Sequence, residues 1–136
     1  MNRIKIQLLA ILAVLTVLIG SSCKKDTDKR TPPTMNFKTG SGYTSGNVTV
    51  TTNDTLLVGV TAEKAEKNDP LTRFVVTQKY DSGSAATILN ESFSQDSYSK
   101  DMNIYTRSVA GTETYTYTII NRDGVTTTKS IVVTVL

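Results

Sequence analysis

The sequence predicts an all-β protein, an antiparallel sandwich of about seven to eight short strands, and three observations carry that reading. From Thr34 onward, runs rich in β-branched and aromatic residues alternate with clusters of Gly, Ser, Asn and Asp, the spacing of a sandwich. No apolar stripe of helical period appears there, and residues 63–68 suffice for one helical turn only, too short to stand alone. The chain then closes on two strictly alternating segments joined by a turn.

Those closing segments organise the rest. In the first, Tyr115, Tyr117 and Ile119 fall on one face and Thr114, Thr116 and Thr118 on the other, the period of a half-buried strand. Asn121, Arg122, Asp123 and Gly124 supply a turn, because Asn, Asp and Gly tolerate the left-handed backbone of a tight hairpin. The second segment sets Ile131, Val133 and Val135 against Ser130, Val132 and Thr134, so a β-branched ridge meets the Tyr/Ile ridge of its partner.

Upstream, residues 35–38 and 48–51 read as the two halves of one first strand, split by Gly40, Ser41, Gly42, Ser45 and Gly46. Residues 55–62 alternate as a central strand, with Leu56, Val58, Val60 and Ala62 inward and Leu57 and Gly59 outward. After a polar loop over 63–70, residues 71–80 carry Phe74 and Val76 inward and Arg73 and Val75 outward. A turn at 81–84 leads to strands over 87–93 and 98–109, the latter with Met102 and Ile104 as its buried pair.

The N-terminus reads as an address. Arg3 and Lys5 precede an apolar run from Leu8 to Ile19, and Gly20, Ser21 and Ser22 are small. That run is shorter than the roughly 20 residues a membrane-spanning helix needs, so a cleaved leader over residues 1–22 is expected. The only cysteine, Cys23, follows at once, and here the sequence resembles bacterial lipoprotein precursors of the Bacteroidetes type. The resemblance implies that Cys23 becomes the lipidated first residue, anchored in the outer membrane on its periplasmic or outer side. Residues 24–33, charged and ending in Pro32-Pro33, read as a solvated tether. Residues 34–136 are then the domain. Asp26 and Asp28 near Cys23 resemble surface-export signals of such lipoproteins, diluted by Lys24 and Lys25.

The run from Gly111 through Tyr115, Tyr117, Ile119, Asp123 and Gly124 to Val135 resembles the last two strands of PKD and related immunoglobulin-like domains. The resemblance implies an immunoglobulin-like antiparallel β-sandwich. Where such domains usually place a corner tyrosine, this chain has Glu113, with Tyr115 two residues later.

Composition excludes several functions. The formal charge of +3 falls to +1 once Arg3 and Lys5 are removed with the leader, and the remaining basic residues form no stripe, so no nucleic-acid partner is expected. With 0 His and 1 Cys, the chain has no imidazole base, no Cys/His metal cluster and no intrachain disulfide. Catalytic residues, metal ligands and cofactors are therefore expected to be none.

Four tyrosines, Tyr43, Tyr80, Tyr98 and Tyr105, fall near predicted turns or outward faces and are the candidate binding residues, since exposed rings are what glycan and protein ligands stack on. The bland alternative is that they cover sheet edges. Glu63, Glu66 and Asp69 share a loop and read as a calcium site or as a solvated loop neutralised by Lys64 and Lys67. Asp96 and Asp101 are the carboxylates a small hydrolase would use. Asp54-Thr55-Leu56 resembles an O-glycosylation motif of Bacteroidetes-type envelope proteins, or is a strand start. The Asn-x-Ser/Thr triplets at Asn47, Asn53 and Asn90 matter only in a eukaryotic secretory path. The leading expectation is a lipid-anchored envelope module that binds a protein or glycan or supports another component. A carboxylate hydrolase and a ligand-free spacer are the alternatives.

Overall fold

The computed structural model describes residues 30–136; the expected leader, Cys23 and most of the expected tether lie outside the described residues. Eight strands follow in chain order: β1 (Thr34–Phe37), β2 (Val48–Val50), β3 (Thr55–Glu63), β4 (Leu71–Tyr80), β5 (Ala86–Gln95), β6 (Ser97–Tyr105), β7 (Gly111–Asn121) and β8 (Thr126–Val135). Among the described residues there is no helix. The strands form two sheets, β1-β3-β6 and β2-β8-β7-β4-β5, packed as a sandwich.

All pairings are antiparallel except that of β2 with β8. The two halves of the expected first strand belong to different sheets: β1 pairs with β3, and β2 runs parallel to β8. The glycines between them let the chain cross from one sheet to the other, with Gly40 and Gly42 at φ 122° and 90°.

The core is the set of inward ridges expected from alternation. Leu56, Val58, Val60 and Ala62 of β3 face Leu71, Phe74 and Val76 of β4, Tyr115, Tyr117 and Ile119 of β7, and Ile131, Val133 and Val135 of β8. β7 has β4 on one side and β8 on the other, so its inward side chains are sealed laterally as well as from above. Phe37 meets Tyr117 edge-on, with ring centroids 5.2 Å apart. The Tyr117 hydroxyl is buried and has no hydrogen-bond partner.

Two expectations are corrected. The sixth strand ends at Tyr105 rather than 109, because the Thr106 hydroxyl accepts the Asp54 N–H (2.8 Å) and the chain then leaves the sheet. Of the expected buried pair, Ile104 is buried but Met102 only half-buried, since β6 is an edge strand. The chain is also held before β1 starts. Pro33 is buried, its carbonyl accepts from the Thr127 hydroxyl (2.5 Å), and the Thr31 N–H donates to the Glu66 carboxylate (2.7 Å).

Three substitutions test this packing by urea unfolding. Ile119→Ala costs about 2 to 5 kcal/mol, the range for a large core side chain cut to Ala. Thr118→Ala, which removes only an exposed hydroxyl pair with Thr128 (3.1 Å), costs under about 1 kcal/mol. Tyr117→Phe leaves stability unchanged or raises it by about 1 kcal/mol, because it deletes a buried hydroxyl that has no partner.

Candidate functional site

The strand registers give the sandwich two poles. Thr34 pairs with Glu63, and Ser97, Leu71 and Asn121 lie at that same end, the near pole, where the chain enters the domain. Tyr80 pairs with Glu113, Thr55 with Tyr105 and Gly111 with Val135 at the opposite end, the far pole. The large hydrophobic side chains that remain exposed are Tyr80 (44%), Ile88 (43%), Tyr105 (70%), Val109 (61%) and Leu136 (71%), and all lie at or beside the far pole.

Three of these rim a groove of about 230 Å³ between the open edges of the two sheets. Gln78 and Tyr80 of β4, Ile88 of β5, residues 102–105 of β6 and Tyr115 of β7 line it. Ile88 is there because of a backbone irregularity. Val76 pairs with Leu89 but Thr77 with Thr87, which leaves Ile88 as the extra residue of a bulge. No lining residue is charged. Its volume falls below the roughly 300 to 1,000 Å³ of pockets that enclose a small molecule, so it accepts one ring or one side chain of a larger ligand.

Beneath the groove a polar chain fixes the far pole. The amide of Gln78 donates to the Tyr115 hydroxyl (2.7 Å), which donates in turn to the carboxylate of Glu113. Burial pushes the Tyr115 phenol pKa up, and the Glu113 bond adds to it. Glu113 is fully buried, and its other oxygen accepts the main-chain N–H of Arg107 (2.8 Å), six residues upstream. A buried carboxylate thereby ties the β6–β7 connection to the start of β7. The Arg107 guanidinium grips Asp81 through two bonds (2.7 and 3.0 Å) and lies over the Tyr80 ring (5.6 Å). The Arg107 bond, helped by the Thr112 N–H, holds the Asp81 carboxyl below the usual carboxylate range. Gly111 leaves room for this, since a Cβ there would meet the guanidinium nitrogen at 1.2 Å.

The four candidate tyrosines separate. Tyr80 and Tyr105 share the groove. Tyr43 lies instead on the outer face of the three-stranded sheet, over Gly59, where a Cβ would meet its ring at 2.6 Å. Its hydroxyl donates to Asp101 (3.1 Å), which also accepts a hydrogen bond from the Lys38 ammonium (2.7 Å). Lys38, through that bond first, holds the Asp101 carboxyl below its usual range. Tyr98, expected to face outward, points inward: it stacks on Phe93 at 4.5 Å, packs against Phe74 at 4.9 Å and donates to Glu91 (2.5 Å). Lys100 also binds Glu91 (2.6 Å), and that bond, with the Tyr98 hydroxyl adding to it, holds the Glu91 carboxyl below the usual carboxylate range.

The acidic candidates are dispersed. Glu66 serves Thr31, while Asp69 is buried against the Asn121 amide and the Asp123 N–H (3.2 Å). Among the described residues no group of three or more His, Cys, Asp and Glu is placed to hold a metal. Asp96 pairs with Lys64 (2.5 Å) at the near pole, whereas Asp101 sits mid-strand on Lys38. The four residue steps of strand from Ser97 to Asp101 span about 13 Å of backbone, and each carboxylate is neutralised by its own lysine rather than facing the other. Thr55 is exposed at the start of β3, opposite Tyr105.

Of the groove residues, Gln78, Ile88, Asn103 and Tyr115 were not candidates from sequence. Gln78 and Ile88 carry no distinguishing pattern, and Tyr115 reads only as core. No protein-family model matches the chain, and no curated protein matches it.

Two outcomes check the far-pole network. Glu113→Ala leaves the part-buried Arg107 N–H and the buried Tyr115 hydroxyl without an acceptor, a loss of about 1 to 3 kcal/mol at the buried hydroxyl and less at the N–H; Glu113→Gln, keeping one acceptor, loses less in the same urea titration. A carboxyl lowered in the folded state supplies stability that is complete above its unfolded pKa and is lost as pH falls through the folded one. The urea midpoint therefore falls below about pH 4, and Asp81→Asn, which the positive φ of 46° tolerates, flattens part of that fall.

Proposed function

We propose that this protein is a lipid-anchored module of the bacterial cell envelope that binds another envelope component through its far pole. The single observation that carries the binding reading is the placement of the exposed apolar side chains. They gather at the pole opposite the chain's entry, three of them around the groove, leaving the near pole to the tether. Tyr105 at 70% exposure beside Tyr80 and Ile88 is the kind of contiguous apolar surface that marks an interaction site, which favours binding over a ligand-free spacer. The pairing of Asp96 with Lys64 and of Asp101 with Lys38 favours the binding module over a carboxylate hydrolase.

The domain reads as immunoglobulin-like. The pairs β3-β6 and β8-β7-β4 follow the order in which strands B and E share one sheet and G, F and C the other. The corner is consistent with that reading as well: where an immunoglobulin-like domain ties its corner with a tyrosine hydroxyl, Glu113 ties it here with a carboxylate on the Arg107 N–H. Anchoring rests on the leader and on Cys23, whose thioether-linked diacylglycerol supplies two acyl chains, enough for stable attachment at about 0.8 kcal/mol per buried methylene. The outer membrane is the expected site, on its periplasmic or outer side.

Growth with a labelled fatty acid marks the protein, and a Cys23→Ser variant stays unlabelled. Label retained on that variant overturns the anchor.

A further inference from the structure

We propose that the far half of β6 is a strand-addition edge: an extended segment of another polypeptide, apolar at alternate positions, pairs with its outward main-chain groups and lowers one apolar side chain into the groove. The inference rests on the binding reading above and names the partner's chemistry.

The two sheets end in four edges, β1, β6, β2 and β5. Proteins keep edges from recruiting foreign strands by making them short, bulged or covered. β1 has four residues and β2 three. β5 has ten, but two register shifts break it, one leaving Ile88 unpaired and the other setting Phe93 and Ser94 against Thr72. β6 has none of these protections. Its nine residues pair with β3 in unbroken register, and among the described residues no strand lies on its other side.

The direction of its free groups follows from two bonds. The Thr106 N–H donates to the Asp54 carbonyl (2.9 Å), and the Lys64 N–H donates to the Asp96 carbonyl (2.9 Å). Even-numbered residues of β6 therefore turn their main-chain polar groups toward β3. The alternation of an antiparallel ladder sends those of Asp101, Asn103 and Tyr105 outward, each with one N–H and one C=O.

What lies under that edge completes the site. Three strands face five, and the inward side chains of β5 at Leu89, Glu91 and Phe93 stay only half-buried, so a strand added beside β6 fills space above β5 that the smaller sheet leaves partly uncovered. In the near half Tyr98 stacked on Phe93, with Glu91 bonded to Lys100, already occupies it. In the far half it is open, and it is the groove. Both charges of β6 are spent within the fold, Lys100 on Glu91 and Asp101 on Lys38, so neither repels an incoming backbone. An uncharged slot of 230 Å³ under a free edge fits the recognition mode in which main-chain bonds give affinity and one side-chain pocket gives selectivity.

The test uses the full chain solubilised from membranes in mild detergent, titrated with synthetic octapeptides that alternate Thr with Val, Ile or Leu. Amide hydrogen exchange is read by NMR. Binding slows exchange at Asp101, Asn103 and Tyr105 by about tenfold or more, while Met102 and Ile104, already bonded to β3, do not change. The same peptides with a central proline do not bind. Asn103→Pro removes an outward donor at an edge position and abolishes binding; should it unfold the domain, Ile88→Asp, at the exposed groove rim, weakens binding at least about tenfold by burying a charge. Peptides that bind without slowing those three amides, or that bind equally with proline, overturn the proposal. Self-association that protects the same amides assigns the edge to a second copy and overturns it too. A neutral oligosaccharide that shifts Tyr80 and Tyr105 while every peptide fails overturns it but leaves the binding reading standing, whereas blanks from peptides and glycans alike overturn both.

Discussion

The inward stripe of β7 is the constraint on which the remaining strands depend. Glu113, Tyr115, Tyr117, Ile119 and Asn121 are alternate residues of one strand, and all five are buried. Because β4 and β8 both pair with this strand, its register sets which side chains of its neighbours face inward: Phe74 stands beside Ile119, Val76 beside Tyr117 and Ile131 beside Tyr115. A slip of one residue would send five Thr or Ile neighbours inward and the tyrosines to water, so the alternation admits one alignment. The smaller sheet then has a single surface to cover.

That stripe ends in a polar residue at each pole, and both ends are hydrogen-bonded within the fold. Glu113 accepts from Arg107 and Tyr115; Asn121 donates to Asp69, and its side-chain oxygen accepts from the Val125 N–H at 2.7 Å. Each ties down the connection next to it, Glu113 the loop leading into β7 and Asn121 the turn leading out. A buried polar group with all its bonds made is specific to one arrangement of its surroundings. The apolar middle of β7 supplies cohesion, and its two ends supply definition.

This division explains what was legible in the sequence. Period-two alternation exposed the faces of β3, β4, β7 and β8, because each has one side in the core and one in water or half in water. It failed at Tyr98, where an aromatic residue near a turn looks exposed, but β5 and β6 lie in opposite sheets and the β6 ring turns inward onto Phe93 of β5 and Phe74 of β4. It overran β6, because Thr106 is as good a strand residue as any until its hydroxyl is seen serving Asp54. The groove was half legible: Tyr80 and Tyr105 stood out by chemistry, but their meeting depends on a bulge at Ile88 that no local pattern announces. Glu113 was conspicuous only as a departure at a corner, and its role required knowing where the Arg107 N–H lay.

The division of the first strand between two sheets has a mechanical consequence. Residues 30–33 leave the domain at the near pole, and β1 runs from there toward the far pole alongside β3. Traction applied to the N-terminus and resisted at the far pole acts along β1, so the four residue pairs of β1 and β3 are loaded together, in shear, and do not open one after another. The Pro33 carbonyl held by Thr127 ties the same segment to the other sheet, sharing the load across the sandwich. β2, beyond the glycine-containing crossing, lies parallel to β8 and stays seated until β1 has slid free. A domain pulled from its N-terminus is thus gripped first along the four residues of β1, by bonds that share the force.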